Sequence, residues 1–291
     1  MSSQVMEIPK SKSGKTTESV GRAITYIFLV VAAAISIFPF LWMVSTSFKA
    51  ISEIFAMPPT LIPKVPMLQN YVQGWAYSDF TTFTKNSILV TLVCTVGTVL
   101  SSAVVAFGFS RYKAGLSGLL ITVMLGTIML PAQVTLIPQY MLYNQLGMID
   151  TFWPLFIPAW LGGGAFNIFL FMQFFKSLPR ELDEAASIDG ANSFQLFTRV
   201  MLPAVKPIII AVGVMSLVYN WNDFFSPLIY LNSQQNYTIA IGLQFFKSSY
   251  GNIQVGMMMA VSVVTLLPVL LLFFICQKYF VQGIKMSGLK A

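Results

Sequence analysis

Six long apolar runs decide what this chain can become. They lie near Ala23–Ser47, Asn86–Phe109, Leu116–Pro138, Phe152–Phe175, Pro207–Leu231 and Val255–Tyr279. A hydrocarbon core of ~30 Å takes about 20 helical residues to cross, and run ends read from sequence are good to ~4 residues. Lipid offers no partner for backbone N–H and C=O groups, so segments that cross it singly must close their own hydrogen bonds as helices. The expected fold class is therefore all-α: a polytopic membrane protein with six transmembrane helices. Composition agrees, with 56% hydrophobic and only 9% charged residues, against about 25% charged in soluble domains.

Charge sets the orientation. With six spans, both tails and the second and fourth loops share one side, and that side carries 13 of the 17 Lys and Arg residues; Lys49, Lys64, Lys85 and Lys247 lie on the other. Positive residues stay inside, so both termini are expected in the cytoplasm of a multi-pass cell-membrane protein. The net charge of +7 is spread along the flanks of apolar runs, which argues for topology and against nucleic acid. The first run is too long for an ordinary signal peptide and lacks its small-residue cleavage site. Residues 1–22 read as a cytoplasmic tail, 23–280 as the membrane domain and 281–291 as a second cytoplasmic tail. The first external loop, about Phe48–Lys85, holds Pro58, Pro59, Pro63 and Pro66 and reads as an ordered cover over the outer mouth.

Several chemistries are excluded. There is no histidine, which removes a Ser-His-Asp triad, a Cys-His pair and His-ligated metal. Cys94 and Cys276 sit singly in apolar runs, as small packing residues. No catalytic constellation and no metal set is visible. The Gly-x-x-x-x-Gly-Lys-Ser/Thr phosphate loop is missing, so any ATP hydrolysis must come from another chain. An ion-coupled transporter would carry intramembrane charges, and Asp223 is the one acidic residue within a run.

The fourth loop, residues 177–207, is the most informative stretch. Pro179 suits a first helical turn, and Glu181, Asp183 and Glu184 put negative charge at the positive end of a helix dipole. Gly190 offers a left-handed C-terminal cap, Asn192 or Ser193 can cap a second short helix, and Pro203 and Pro207 punctuate the approach to the fifth run. Ala185, Ala186 and Ala191 keep the unit thin, while Leu182, Ile188, Phe194 and Phe197 supply apolar contacts. Such a unit fits a groove on a partner, or lies flat on lipid headgroups; the physics leaves both open.

The run Glu184-Ala185-Ala186, Asp189-Gly190-Ala191, Leu202-Pro203 and Pro207 resembles the EAA loop of binding-protein-dependent ABC importers. Thr46-Ser-Phe-Lys49, Pro58-Pro59, Asn70-Tyr71, Met129-Leu-Pro131, Pro138-Gln-Tyr140, Leu146-Gly-Met-Ile-Asp-Thr151, Trp221-Asn-Asp-Phe224 and Tyr279-Phe-Val-Gln-Gly283 are similar to the carbohydrate-uptake branch, in particular its smaller maltose-type permease subunit. That resemblance implies a type I importer permease fold translocating a sugar, with an oligosaccharide as the expected cargo. It makes Glu184, Ala185, Ala186, Asp189, Gly190 and Ala191 the ATPase-coupling residues. It implies a second, non-identical permease, two ATP-binding subunits that hold ATP and Mg, and an extracytoplasmic solute-binding protein, with no cofactor in this chain. Glycerol-3-phosphate importers share most of these runs, so that solute, or another small polar one, stays open.

Asn220, Trp221, Asn222 and Asp223 fall inside the fifth run, and Gln133 follows Pro131 in the third. Unpaired polar groups in lipid cost several kcal/mol, so these must face a cavity or another helix. Amides, a carboxylate and an indole suit a sugar path; they equally suit hydrogen bonds between helices. Pro131 should loosen the third helix, and Gly162-Gly163-Gly164 should weaken or kink the fourth.

Overall fold

The computed structural model describes residues 13–112, 115–247 and 254–288. Among them the regular structure is entirely helical. Helices α1 (Ser13–Ser47), α2 (Ile51–Ile54), α3 (Gln69–Ala76) and α4 (Phe80–Arg111) come first. Then follow α5 (Ser117–Thr127), α6 (Ala132–Gln145), α7 (Trp153–Trp160), α8 (Ala165–Ser177) and α9 (Glu181–Ile188). The chain continues through α10 (Ser193–Gln195), a π-helical stretch Leu196–Met201, and α11 (Leu202–Ala204). It ends with α12 (Lys206–Asn222), α13 (Phe225–Tyr230), α14 (Ile239–Gly242) and α15 (Val255–Gly288).

Four helical stretches among the described residues are long and apolar enough to cross a membrane: Gly21–Ser47, Phe80–Arg111, Trp153–Ser177 and Val255–Gln277. A fifth is added if Ser193–Ala204 and Lys206–Asn222, bent by 80°, are taken together. The described structure therefore has four or five whole spans where six were expected. The difference is breakage. The third run, expected over Leu116–Pro138, is split into α5 and α6, because Pro131 has no N–H and forces Leu130 out of helical geometry. Pro131 itself is extended, with ψ 133°. The fourth run is interrupted too, at Gly162, Gly163 and Gly164, with φ of 111°, 65° and 92°, values that glycine alone adopts readily, but Trp153–Ser177 still counts as one of the four spans. The fifth run, expected to continue to Leu231, breaks after Asn222. There the Asp223 carboxylate accepts the backbone N–H of Phe225 (3.1 Å) and of Ser226 (3.2 Å), which starts α13 afresh. The outer helices run past their expected ends: α1 starts at Ser13 and α15 continues to Gly288, inside the segments read as tails.

Helix α4 is the axis of the molecule. Its inward face carries small residues, Gly97, Thr98, Ser102, Ala103 and Ala106, which let neighbouring helices approach closely where lipid supplies no hydrophobic drive. Trp160 lies flat across Gly97, where a Cβ would come within 2.6 Å of the indole. Ser101 and Ser102 donate hydroxyls to the carbonyls of Ala159 (2.8 Å) and Gly162 (3.1 Å), which the break between α7 and α8 leaves free. One core cluster, around Phe107, Phe171, Phe175, Phe197 and Met201, joins α4 and α8 to the π-helical stretch. A second, around Phe80, Phe83, Trp221, Phe246 and Val261, closes the opposite end.

The expected ordered loop after α1 is present. Asn70 donates to the carbonyls of Ser47 (2.9 Å) and Lys49 (3.0 Å), and Ser47 bonds Tyr71 at 2.8 Å. Lys49 is buried, reaching the Thr60 carbonyl with its ammonium 4.6 Å from the Trp42 ring centre. By contrast, the most apolar part of α1 buries nothing within this chain, as befits a surface turned to lipid or to another subunit.

Candidate functional site

The loop after α8 forms a hairpin of short helices. Helix α9 follows Arg180, whose carbonyl accepts the N–H groups of Asp183 (2.9 Å) and Glu184 (3.2 Å). It ends at Gly190, with φ 76°. Ala191 N–H returns to the Ala186 carbonyl (2.9 Å) and Gly190 N–H to that of Ser187 (3.0 Å), the double bond pattern of a glycine-terminated helix. Asn192 then caps α10 reciprocally with Gln195. Among the described residues, nothing beyond its chain neighbours lies within 4 Å of where a Gly190 Cβ would be. Glu184, Ala185, Asp189 and Gly190 are exposed, Ala186 is buried and Ala191 half-buried.

The four apolar residues of this loop divide by direction. Leu182 and Phe197 point inward, into the cluster with Phe107 and Phe175. Ile188 and Phe194 project, with 86% and 73% of their surface exposed. The hairpin is held to the end of α4 by arginines: Arg180 donates to the carbonyls of Arg111 (3.2 Å) and Ser110 (3.3 Å). Arg111 is almost fully buried, donates to the Leu178 carbonyl at 3.3 Å and pairs with Asp183 at 3.4 Å.

A cavity of about 510 Å³ lies between α4, α6, α7, α8, α12 and α13. Its polar lining comprises Thr98, Gln139, Asn167, Ser216, Tyr219, Asn220, Asp223, Ser226 and Tyr230, and Asp223 is the one charged residue among those lining it. Asn220 is turned back on its own helix, donating to the Ser216 carbonyl (2.7 Å) and hydroxyl (3.1 Å). Tyr219 stands 68% exposed on the same wall.

Of the five path candidates read from the sequence, the structure brings Asn220 and Asp223 to this cavity. Trp221 faces elsewhere: it is buried and its indole donates to the Thr265 carbonyl of α15 at 3.1 Å. Asn222 is exposed and donates to the Val218 carbonyl at 2.8 Å. Gln133 is exposed and off the lining, while Gln139 on the same helix is on it. Gln139, Asn167, Ser216, Tyr219 and Tyr230 were not among the path residues read from the sequence. Ser216 and Asn220 are one helical turn apart, and that spacing was the available signal.

The family described as "Binding-protein-dependent transport system inner membrane component" matches residues 11–286. The chain is 32% identical over 275 residues to the probable ABC transporter permease protein YurM of Bacillus subtilis (strain 168), covering 93% of this chain and 89% of that one. It is 34% identical over 260 residues to the lactose transport system permease protein LacG of Rhizobium radiobacter, covering 89% and 93%. It is 29% identical over 278 residues to the trehalose/maltose transport system permease protein MalG of Thermococcus litoralis, covering 94% and 98%. Its fold is similar to a chain in the crystal structure of a bacterial ABC transporter involved in the import of the acidic polysaccharide alginate. That match has a TM-score of 0.78 at 22% identity, over 94% of this chain and 100% of that one. With that family model covering residues 11–286 and relatives above 30% identity along most of its length, the chain belongs to the family of inner-membrane components of binding-protein-dependent transport systems.

Proposed function

We propose that this permease imports a carbohydrate, with an oligosaccharide as cargo, by alternating access driven from a separate ATPase. The observation that carries the coupling half is the hairpin around Gly190. It presents two projecting apolar side chains on a thin, glycine-capped unit, and its base is fastened by Arg111 and Arg180 to the helix that also lines the cavity through Thr98. A groove on an ATPase accepts such a shape, with Glu184, Ala185, Ala186, Asp189, Gly190 and Ala191 at the contact. The cavity supports a sugar: amide, hydroxyl and phenol groups suit hydroxyl-rich solutes, and a lone Asp223 with no Lys or Arg on the lining disfavours a phosphate ester such as glycerol-3-phosphate. The lactose, arabinooligosaccharide and trehalose/maltose systems named for its relatives point the same way.

In this reading the broken segments pair up as six spans, α5 with α6 and α12 with α13 completing the third and fifth. Both termini and the hairpin are cytoplasmic, because 13 of the 17 basic residues fall on that side. The exposed face of α1 meets lipid and a second, non-identical permease. Two ATP-binding subunits hold ATP and Mg, and a solute-binding protein delivers cargo to the outer mouth. Replacing Gly190 by Leu tests the coupling. A Cβ there meets nothing among the described residues beyond its chain neighbours, so the main intrinsic cost is about 1–2 kcal/mol of left-handed backbone strain, too little to unfold the protein. The expected outcome is a membrane-inserted chain whose ATPase no longer responds to sugar-loaded binding protein; an unaltered response rejects the docking role.

A further inference from the structure

At the end of the bundle opposite the hairpin, one residue gathers an unusual set of bonds. Asp150 lies between α6 and α7 and has φ 61°, the one non-glycine residue with positive φ among those described. Aspartate tolerates this region better than most residues, at some cost in strain. Its N–H donates to the Tyr230 carbonyl at 2.8 Å. Its Oδ1 accepts the backbone N–H groups of Asn232 (2.9 Å) and Ser233 (2.8 Å) and the Asn236 amide (3.1 Å). Its Oδ2 accepts the Ser233 hydroxyl, and its carbonyl accepts the Asn236 amide at 2.7 Å. Every one of these bonds runs to Tyr230, the last residue of α13, or to the segment just after it, some 80 residues away in sequence.

The neighbouring rings reinforce the join. Tyr230, at the end of α13, stacks on Tyr140 (centroids 6.3 Å apart, planes 13° apart) and meets Tyr143 edge-on at 5.5 Å. Both partners belong to α6. Burial alone would raise the Asp150 carboxyl, but the hydrogen bonds from Ser233, Asn232 and Asn236 outweigh it and hold the group at about 2. Helix α13 is thus fastened to α6 and α7 from two sides. Its covalent link to α12 is the non-helical pair Asp223–Phe224.

We propose that Asp150 is a positioning residue that clamps α13 to the α6–α7 wall of the cavity throughout the transport cycle, so that the cavity opens by flexing at Asp223–Phe224 and at Gly162–Gly164. Leu136 and Gln139 of α6, Pro154 and Pro158 of α7, and Ser226 and Tyr230 of α13 then move as one wall, while α12 stays with α4. The idea rests on the cavity being the solute's route, and it adds which of its walls travel together.

The test uses the permease purified with its ATPase, with Cys94 and Cys276 replaced by alanine and the pair Asp150→Cys and Ser233→Cys introduced. The expected result is equal disulfide yield in the nucleotide-free complex and after trapping with ATP and vanadate. ATP hydrolysis should be at least as fast in the oxidised complex as in the reduced one. A severalfold fall in yield in either state, or loss of hydrolysis on oxidation, overturns the clamp, because the two loops must then part. As a second variant, Asp150→Ala should lower hydrolysis stimulated by the solute-binding protein roughly tenfold, within the span that single positions impose on coupling. Unchanged stimulation in that variant overturns the proposal as well. If Asp150→Ala fails to assemble, the cysteine pair decides. A wrong carbohydrate assignment shows itself differently, as an unmodified complex that takes up no oligosaccharide while the cross-linking result stands.

Discussion

At the scale of single residues, Arg111 bears the heaviest demand. It is a nearly buried cation at the end of a membrane helix, and its partners, Asp183 and the Leu178 carbonyl, both belong to the hairpin or its approach. Removing one member of a buried ion pair typically costs about 3–5 kcal/mol because the other charge is stranded. Asp183 is partly solvated here, so about 2–3 kcal/mol is expected for Arg111→Ala. Arg111→Lys keeps the charge but loses the forked donor geometry. The lysine variant should therefore accumulate near normally yet show weakened stimulation of ATP hydrolysis, whereas alanine should lower accumulation too. Quantifying membrane-inserted protein beside stimulated hydrolysis checks both; equal behaviour of the two variants rejects a positioning role for the guanidinium.

Asp150 behaves differently towards pH. Its carboxyl is depressed from 3.8 to about 2, so its stabilising contribution is complete above the unfolded value and is lost only as pH falls through about 2. The clamp is accordingly insensitive to pH above the unfolded value of 3.8.

Residue chemistry was also where the sequence was hardest to read. Trp221 sits among polar neighbours and looks like a platform for a sugar ring, but its indole is committed to a carbonyl on α15. That contact joins residues 44 apart in sequence and leaves no trace in a single chain. Gln133 was named as a path candidate and Gln139 was not, yet six residues on a helix turn the side chain by about 240°. The break at Pro131 gives no fixed phase from which to predict the cavity face.

At the scale of elements, breaks and caps were legible because they rest on local backbone physics. Gly190 and Asn192 end and restart helices where their residue types require it. Pro131 and the three consecutive glycines, expected to loosen and to weaken or kink their runs, interrupt them outright. The break at Asp223 was not foreseen, because a polar residue within an apolar run reads equally as a cavity wall and as a cap, and here it is both. The glycine break carries a sharp prediction. A Cβ on Gly163 would collide with the Ser102 hydroxyl and come within 2.6 Å of the Thr98 carbonyl oxygen. Overpacking costs about 1–3 kcal/mol, and the positive φ of 65° adds about 1–2 kcal/mol. Gly163→Ala should therefore sharply reduce folded protein in the membrane. Gly147 has a similar φ of 67° but open space around it, so Gly147→Ala should lose only the backbone part. Detergent-extracted yield and melting temperature compare the two, and equal losses would mean that the close approach to α4 is not what Gly163 provides.

At the scale of the molecule, α4 links the two ends. Its 32 residues span about 48 Å at 1.5 Å each. It lines the cavity at Thr98 and holds the hairpin at Arg111, so under the proposed coupling a push on the hairpin would reach the cavity wall through one uninterrupted helix. The remaining walls are interrupted helices, which can bend. The exposed apolar face of α1 is where the proposed second permease would pack.

The most direct measurement is uptake of a labelled oligosaccharide into proteoliposomes holding the full complex. Uptake should require ATP on the hairpin side together with the sugar-loaded binding protein, and should vanish when the ATPase is omitted or Gly190 is replaced by Leu. Uptake that persists without the ATPase, driven by an ion gradient alone, would contradict a permease powered through its hairpin.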